Sequence, residues 1–102
     1  MSLIEKKLLE SKSLVEIAKQ SSDYHEVDLI VYRLRELRSS LYGRDVYTVN
    51  QSVADAAFKI SEYMNLTRNI RDSIRKQEIL RRKKEAEKID KKAVKKLLSA
   101  NI

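Results

Sequence analysis

Apolar residues recur at helical spacing in three stretches of the chain. Over residues 2–20, Ile4, Leu8, Val15 and Ala18 share one face of a helix. Residues 24–42 have the most regular pattern, with apolar positions separated by steps of three and four residues. These positions are Val27, Ile30, Val31, Leu34, Leu37 and Leu41. The two stretches predict two helices that form an antiparallel hairpin.

Local signals mark the ends of the second helix. Asp23 is a candidate N-cap, and Glu26 three residues later would complete a capping box. Gly43 stands where a left-handed residue closes many helices. Residues 44–50 then form the only stretch that is typical of a loop.

The third apolar pattern predicts a helix over residues 50–98, about 70 Å long at ~1.5 Å per residue. Such a helix would project beyond the hairpin or would break near residues 82–90 and fold back. On a helical wheel, the apolar sector of the earlier turns holds arginines after residue 65, and unpaired charge is rarely buried. We therefore predict that the helix leaves the core near Arg68, with a helical core at residues 1–67 and a basic arm at 68–102.

The composition supports an all-α fold. The chain has 102 residues, no Pro and a single Gly, whereas β-rich domains need many turn residues. This length suits one domain with a small core. We expect a helical hairpin plus a long third helix, as a three- or four-helix bundle.

Charge is distributed unevenly. Residues 1–67 carry nine Lys or Arg and ten Asp or Glu, whereas residues 68–102 carry thirteen and five. A strongly basic helix attracts phosphate backbones by releasing their counterions. We predict that this helix contacts DNA or RNA. The predicted contact residues are Arg68, Arg71, Arg75, Lys76, Arg81, Arg82, Lys83, Lys84, Lys88, Lys91 and Lys92.

Two alternatives explain the same charge. The helix could meet an acidic protein surface, or it could simply be solvated. In the solvated case, acid-first pairs four residues apart would stabilise it, namely Asp72–Lys76, Glu78–Arg82 and Glu87–Lys91. No Phe or Tyr follows Tyr63, so contacts to nucleic acid should involve the backbone more than stacked bases.

Residues 52–74 also faintly resemble a helix-turn-helix. A turn at residues 59–61 would separate a first helix from a recognition helix that presents Asn65, Arg68, Asn69 and Arg71. The turn lacks its usual Gly, and a continuous helix explains the same residues more simply.

Other chemistry has little support in the sequence. The single histidine, His25, sits in a capping region, and no catalytic, metal-binding or cofactor-binding residue is predicted. Without Cys there are no disulfides. The longest apolar run, at residues 29–32, is too short to span a membrane, and charges interrupt the apolar pattern at the N-terminus. We expect a non-enzymatic, cytoplasmic protein.

Two functions remain open. The first is a nucleic-acid-binding accessory or regulatory protein, of a size and charge common in phages and mobile elements. The second is a helical interaction protein such as an adaptor, inhibitor, immunity protein or assembly factor. Its partner surfaces would be the stripe of the second helix, from Val27 to Leu41, and a sparse heptad from Ile79 to Ala93. In both cases the small core favours a homodimer or higher oligomer.

Overall fold

The computed structural model describes residues 2–42 and 51–100, which form three helices and no strand. The helices are α1 (Leu3–Gln20), α2 (Tyr24–Ser40) and α3 (Gln51–Ala100). The predicted all-α fold, a hairpin with a long third helix, is confirmed. The molecule measures 80 × 23 × 15 Å, and α3 with its 50 residues sets the long dimension.

Side chains cap the first turns of α1 and α2. The hydroxyl of Ser2 accepts a hydrogen bond from the Glu5 amide at 3.2 Å, and Asp23 Oδ1 accepts one from the His25 amide at 3.0 Å. Asp23 is thus the N-cap, as predicted. The capping box differs, because Glu26 accepts from the Ser21 hydroxyl, which itself accepts from the Asp23 amide. One serine of the connecting turn therefore bridges the two capping groups.

The end of α2 lies two residues before the predicted one. The amides of Leu41 and Tyr42 donate to the carbonyls of Arg38 and Ser39, three residues back. Hydrogen bonds that span three residues instead of four commonly satisfy the last carbonyls of a helix. The predictions for Gly43 and for a loop at residues 44–50 fall outside the described residues.

Contacts between the helices define an up-down-up bundle. Glu10 of α1 pairs with Arg33 of α2 at 2.8 Å, and Lys7 Nζ donates to the Ser40 carbonyl, so α1 and α2 are antiparallel. Arg38 of α2 donates to the Ser61 hydroxyl of α3 at 3.1 Å. Further along, α2 meets α3 again through Asp28 and Arg71. Consequently α2 is antiparallel to both neighbours, and α1 is parallel to α3.

The core lies between the three helices. Its buried cluster takes Val15 and Ala18 from α1, Ile60 and Met64 from α3, and four residues from α2: Val27, Ile30, Leu34 and Leu37. The two buried hydroxyls are satisfied within their own helices. Ser11 donates to the Lys7 carbonyl at 2.8 Å, and Thr67 donates to the Tyr63 carbonyl at 2.7 Å. The cluster has eight residues, and α2 supplies half of them.

The third helix is continuous from Gln51 to Ala100. No break occurs at residues 59–61, so the helix-turn-helix interpretation is wrong, and none occurs near residues 82–90 to fold the chain back. The predicted departure near Arg68 is too early, since Ile70 and Ile74 still pack against the core. Glu78, which is partly buried, is the last residue of α3 up to residue 98 that is not exposed. We call residues 79–98 the arm, and it projects about 30 Å at ~1.5 Å per residue.

Candidate nucleic-acid interface

Arginines mark the place where α3 passes the end of the hairpin. Arg71 Nη1 lies 2.9 Å from Asp28 Oδ1, and its Nε lies 3.4 Å from Asp72 Oδ1. The side chains of Arg71 and Asp28 are only 24% and 30% exposed. The Arg75 guanidinium lies 5.9 Å from the centre of the Tyr24 ring, within the range of a cation–π contact. These two arginines thus hold α3 against the start of α2.

The ion pair fixes the charge of Arg71. Its hydrogen bond to Asp28 raises the pKa of the Arg71 guanidinium above the ordinary value, although partial burial works against this. Because the pKa of Arg71 is higher in the folded state than in the unfolded state, the ion pair stabilises the folded protein fully below the unfolded-state pKa. This stabilisation is lost only as the pH rises through the folded-state pKa. An arginine side chain is protonated far above neutral pH even without a partner, so Arg71 stays charged and paired throughout the neutral range. Its charge is largely neutralised within the protein.

These contacts change the predicted role of the three arginines near the end of the hairpin. The sequence assigns Arg68, Arg71 and Arg75 to nucleic acid, but Arg68 is half-buried and Arg71 is committed to Asp28. Only Arg75 is exposed, and its guanidinium lies over the Tyr24 ring. Arg71 is therefore a structural residue, and the free positive charge begins further along α3.

The basic side chains of the arm form no ion pair with any other residue that the structure describes. In the described part of the chain, no carboxylate lies within 4.0 Å of a basic nitrogen at residues 75–96. The predicted pairs Asp72–Lys76, Glu78–Arg82 and Glu87–Lys91 do not form, and Asp72 contacts Arg71 instead. Every residue from 79 to 98 is exposed. The cations of the arm are accordingly available to a polyanion.

Helical spacing gathers six of these cations on one side. With about 100° per residue, they fall within a sector of about 100° that contains no acidic residue. We call this set the basic face: Arg81, Lys84, Lys88, Lys91, Lys92 and Lys95. Lys95 was not among the predicted contact residues, although its spacing of four from Lys91 and seven from Lys88 indicates it. The predicted residues Lys76, Arg82 and Lys83 are exposed but lie outside this face.

The stripe of α2 cannot serve as the predicted oligomer or partner interface in this fold. Val27 and Leu34 are fully buried, and Ile30, Val31 and Leu37 are at most 6% exposed. Leu41 is partly buried and packs against the same core. The periodicity that suggested a partner surface instead marks the side of α2 that packs against α1 and α3.

The described residues contain no further site with recognisable chemistry. His25 packs edge-on to Tyr24 with ring centroids 5.8 Å apart, and no group of three His, Cys, Asp or Glu side chains could hold a metal ion within residues 2–42 and 51–100. None of the three helices is long and apolar enough to cross a membrane. The chain matches no protein-family model, no curated protein and no solved structure.

Proposed function

We propose that the protein binds the backbone of DNA or RNA through the basic face, without catalysis, in an accessory or regulatory role in the cytoplasm. The observation that carries this proposal is the projection of the arm beyond the hairpin, with its cations exposed and with no ion pair to another described residue. Forming a complex would therefore break no salt bridge of the arm. The cations would exchange only water and counterions for phosphate oxygens.

The dimensions of the basic face suit a phosphate backbone. From Arg81 to Lys95 it extends about 21 Å along the helix axis at ~1.5 Å per residue. Duplex DNA carries about twelve phosphate charges over that length, at one per ~1.7 Å. An α-helix also fits the major groove, which is ~12 Å wide. Six contacts would give a plot of log affinity against log salt with a slope of about −5.

The residue types favour contacts to the backbone over base recognition. Five of the six cations of the basic face are Lys, a flexible point charge, and only Arg81 offers the planar guanidinium that pairs with guanine edges. The arm contains no aromatic side chain on which bases could stack. We expect weak sequence preference and no marked advantage for single strands.

The decisive experiment is fluorescence anisotropy with labelled duplex DNA, single-stranded DNA and hairpin RNA at several salt concentrations. The test variant is Lys84→Glu, Lys88→Glu and Lys91→Glu together. Its matched control reverses three exposed lysines of α1 instead, Lys6, Lys12 and Lys19, so both proteins lose the same net charge. Because single contacts contribute about one unit each, the salt slope should fall by about three units in the test variant and stay nearly constant in the control.

Two results would contradict the proposal. If the wild-type protein does not bind any of the three nucleic acids at physiological salt, the basic face has another partner. If both triple variants lose affinity equally, net charge alone causes the binding. A parallel titration with poly-glutamate separates the acidic-protein alternative, since binding to it as tight as to nucleic acid would favour a protein partner.

A further inference from the structure

The arm has a second face, opposite the basic face, that resembles the seam of a coiled coil. Ile79, Ala86 and Ala93 recur every seven residues, and Arg82, Ile89 and Lys96 follow each of them by three. These six positions correspond to a and d of a heptad. We call them the seam. Ile79 and Ile89 are 56% and 66% exposed, so no described part of the chain covers the seam.

We propose that a second copy of the chain covers the seam, with the two arms forming an antiparallel coiled coil about a twofold axis. Within the seam, the pairing places residue i of one arm opposite residue 175 − i of the other. Its axis passes between residues 87 and 88, at the middle of the arm. This dimer does not depend on the proposed nucleic-acid binding, because five of the six residues of the basic face point away from the seam and only Lys92 lies beside it.

Two seam residues that lie opposite each other form a layer of the coiled coil. In the antiparallel register, the two side chains of each layer can be packed together. Ala86 meets Ile89 of the second copy, so a small side chain accommodates a large one. The flanking layers set Arg82 against Ala93 and Lys96 against Ile79. Long basic side chains can cover apolar surface with their methylene stems while their charged ends reach water. No layer brings two cations together, and no layer leaves two alanines facing each other.

The charges beside the seam are complementary in the same register. The e and g positions of a heptad flank its a and d positions; within residues 79–96 of the arm, e is occupied by Lys83 and Asp90, and g by Glu85 and Lys92. When two arms run antiparallel, each e position lies next to an e position of the other arm, and each g position lies next to a g position. Lys83 then faces Asp90 of the second copy, and Glu85 faces Lys92. The twofold axis repeats both pairs, so four ion pairs flank the seam. Flanking charges of this kind set the orientation of coiled-coil helices.

A parallel dimer is disfavoured by the same residues. It would set Arg82 against Arg82 and Lys96 against Lys96 in the seam. It would also set Glu85 against Asp90, because g positions face e positions in that orientation. Like charges that close together oppose association. The sequence of the arm therefore selects the antiparallel pairing.

The length of the arm also suits this arrangement. Pairing from Ile79 to Lys96 spans about 26 Å at ~1.5 Å per residue and begins just beyond Glu78, where the hairpin ends. The C-terminal end of the second arm would therefore approach the contact between Arg75 and Tyr24 without entering the bundle. The two basic faces would lie on opposite sides of the helix pair, about 20 Å apart, since each helix is ~10 Å wide. That distance is more than twice the Debye length of ~8 Å at physiological salt.

A disulfide exchange experiment tests both the dimer and its orientation. Because the native chain has no Cys, single substitutions report only the chosen contacts. Purified Arg82→Cys and Ala93→Cys proteins are mixed in a glutathione redox buffer, and the products are separated by mass. We expect the mixed disulfide to predominate. Homodisulfides of each variant would show a parallel dimer, and monomers alone would show that the arms do not pair; either result overturns the proposal.

A charge swap supplies an independent test by sedimentation equilibrium in the absence of nucleic acid. Lys83→Asp turns two ion pairs into two repulsions and should weaken dimerisation about tenfold, as expected for exposed pairs. Adding Asp90→Lys should restore it. If positive charge merely opposed association, Lys83→Asp would strengthen the dimer instead, and that outcome would refute the pairing. Circular dichroism shows whether each variant keeps its helix content.

Discussion

The sequence and the structure assign different roles to Arg71. The sequence assigns it to nucleic acid, whereas the structure pairs it with Asp28 at 2.9 Å. We predict that Arg71→Gln destabilises the bundle and leaves nucleic-acid binding nearly unchanged. Lys84→Gln, on the basic face, should do the reverse.

The geometry sets the size of the effect. Exposed ion pairs contribute up to about 1 kcal/mol, and hydrogen bonds to charged groups up to about 3 kcal/mol. Because the two side chains are 24% and 30% exposed, we expect a coupling free energy of about 1 kcal/mol from a double-mutant cycle of Arg71→Gln and Asp28→Asn. For a domain of this size, that corresponds to a decrease in Tm of about 4–8 °C.

Thermal unfolding by circular dichroism measures the first effect, and anisotropy across a salt series measures the second. The salt slope should fall by about one unit in Lys84→Gln and remain constant in Arg71→Gln. Asp28→Asn serves as the control, since it breaks the same ion pair but raises the net charge. The reasoning is refuted if Arg71→Gln leaves Tm unchanged and lowers the slope as much as Lys84→Gln does.

Three further predictions concern the bundle. Leu34→Ala should cost about 2–5 kcal/mol because Leu34 is fully buried, and a loss below 1 kcal/mol in urea unfolding would contradict the close packing. Asp23→Ala should cost about 1 kcal/mol in the same assay through loss of the α2 cap, whereas Asp23→Asn should cost less. A chain that ends at residue 78 should unfold at nearly the same urea concentration but lose nucleic-acid binding in the anisotropy assay. A large drop in stability would show that the arm contributes to the bundle.

The sequence predicts the elements of the fold well, because the helix signals are local. The regular stripe of α2 and the Asp23 cap define its start, and the structure agrees with both. The sequence does not predict what packs against this stripe. Periodicity shows that one side of α2 must be covered, but it does not show whether another part of the chain or another protein covers it. Here α1 and α3 do so.

The path of α3 depends on contacts that are distant in sequence. A helical wheel places arginines in the sector that holds core residues in the earlier turns of α3. The wheel alone therefore predicts that α3 leaves the core near Arg68. Asp28 lies 43 positions from Arg71 and Tyr24 lies 51 from Arg75, so neither partner is visible in the local sequence. These contacts, together with Ile70 and Ile74, keep α3 against the hairpin for two to three more turns.

Hairpin length therefore determines which cations are free. Helices of 18 and 17 residues cover about 27 Å of the ~75 Å of α3, and within that length Arg71 meets acids and Arg75 meets a ring. Beyond Glu78, no described residue outside α3 forms an ion pair or a ring contact with the same residue types up to residue 98. Charge composition alone cannot distinguish the two groups, because both belong to one uninterrupted helix. The exposed basic face begins where the turn between α1 and α2 ends, so lengthening the hairpin by two turns would cover Arg81, which continues the side of α3 that holds Ile70 and Ile74, and would shorten the candidate interface.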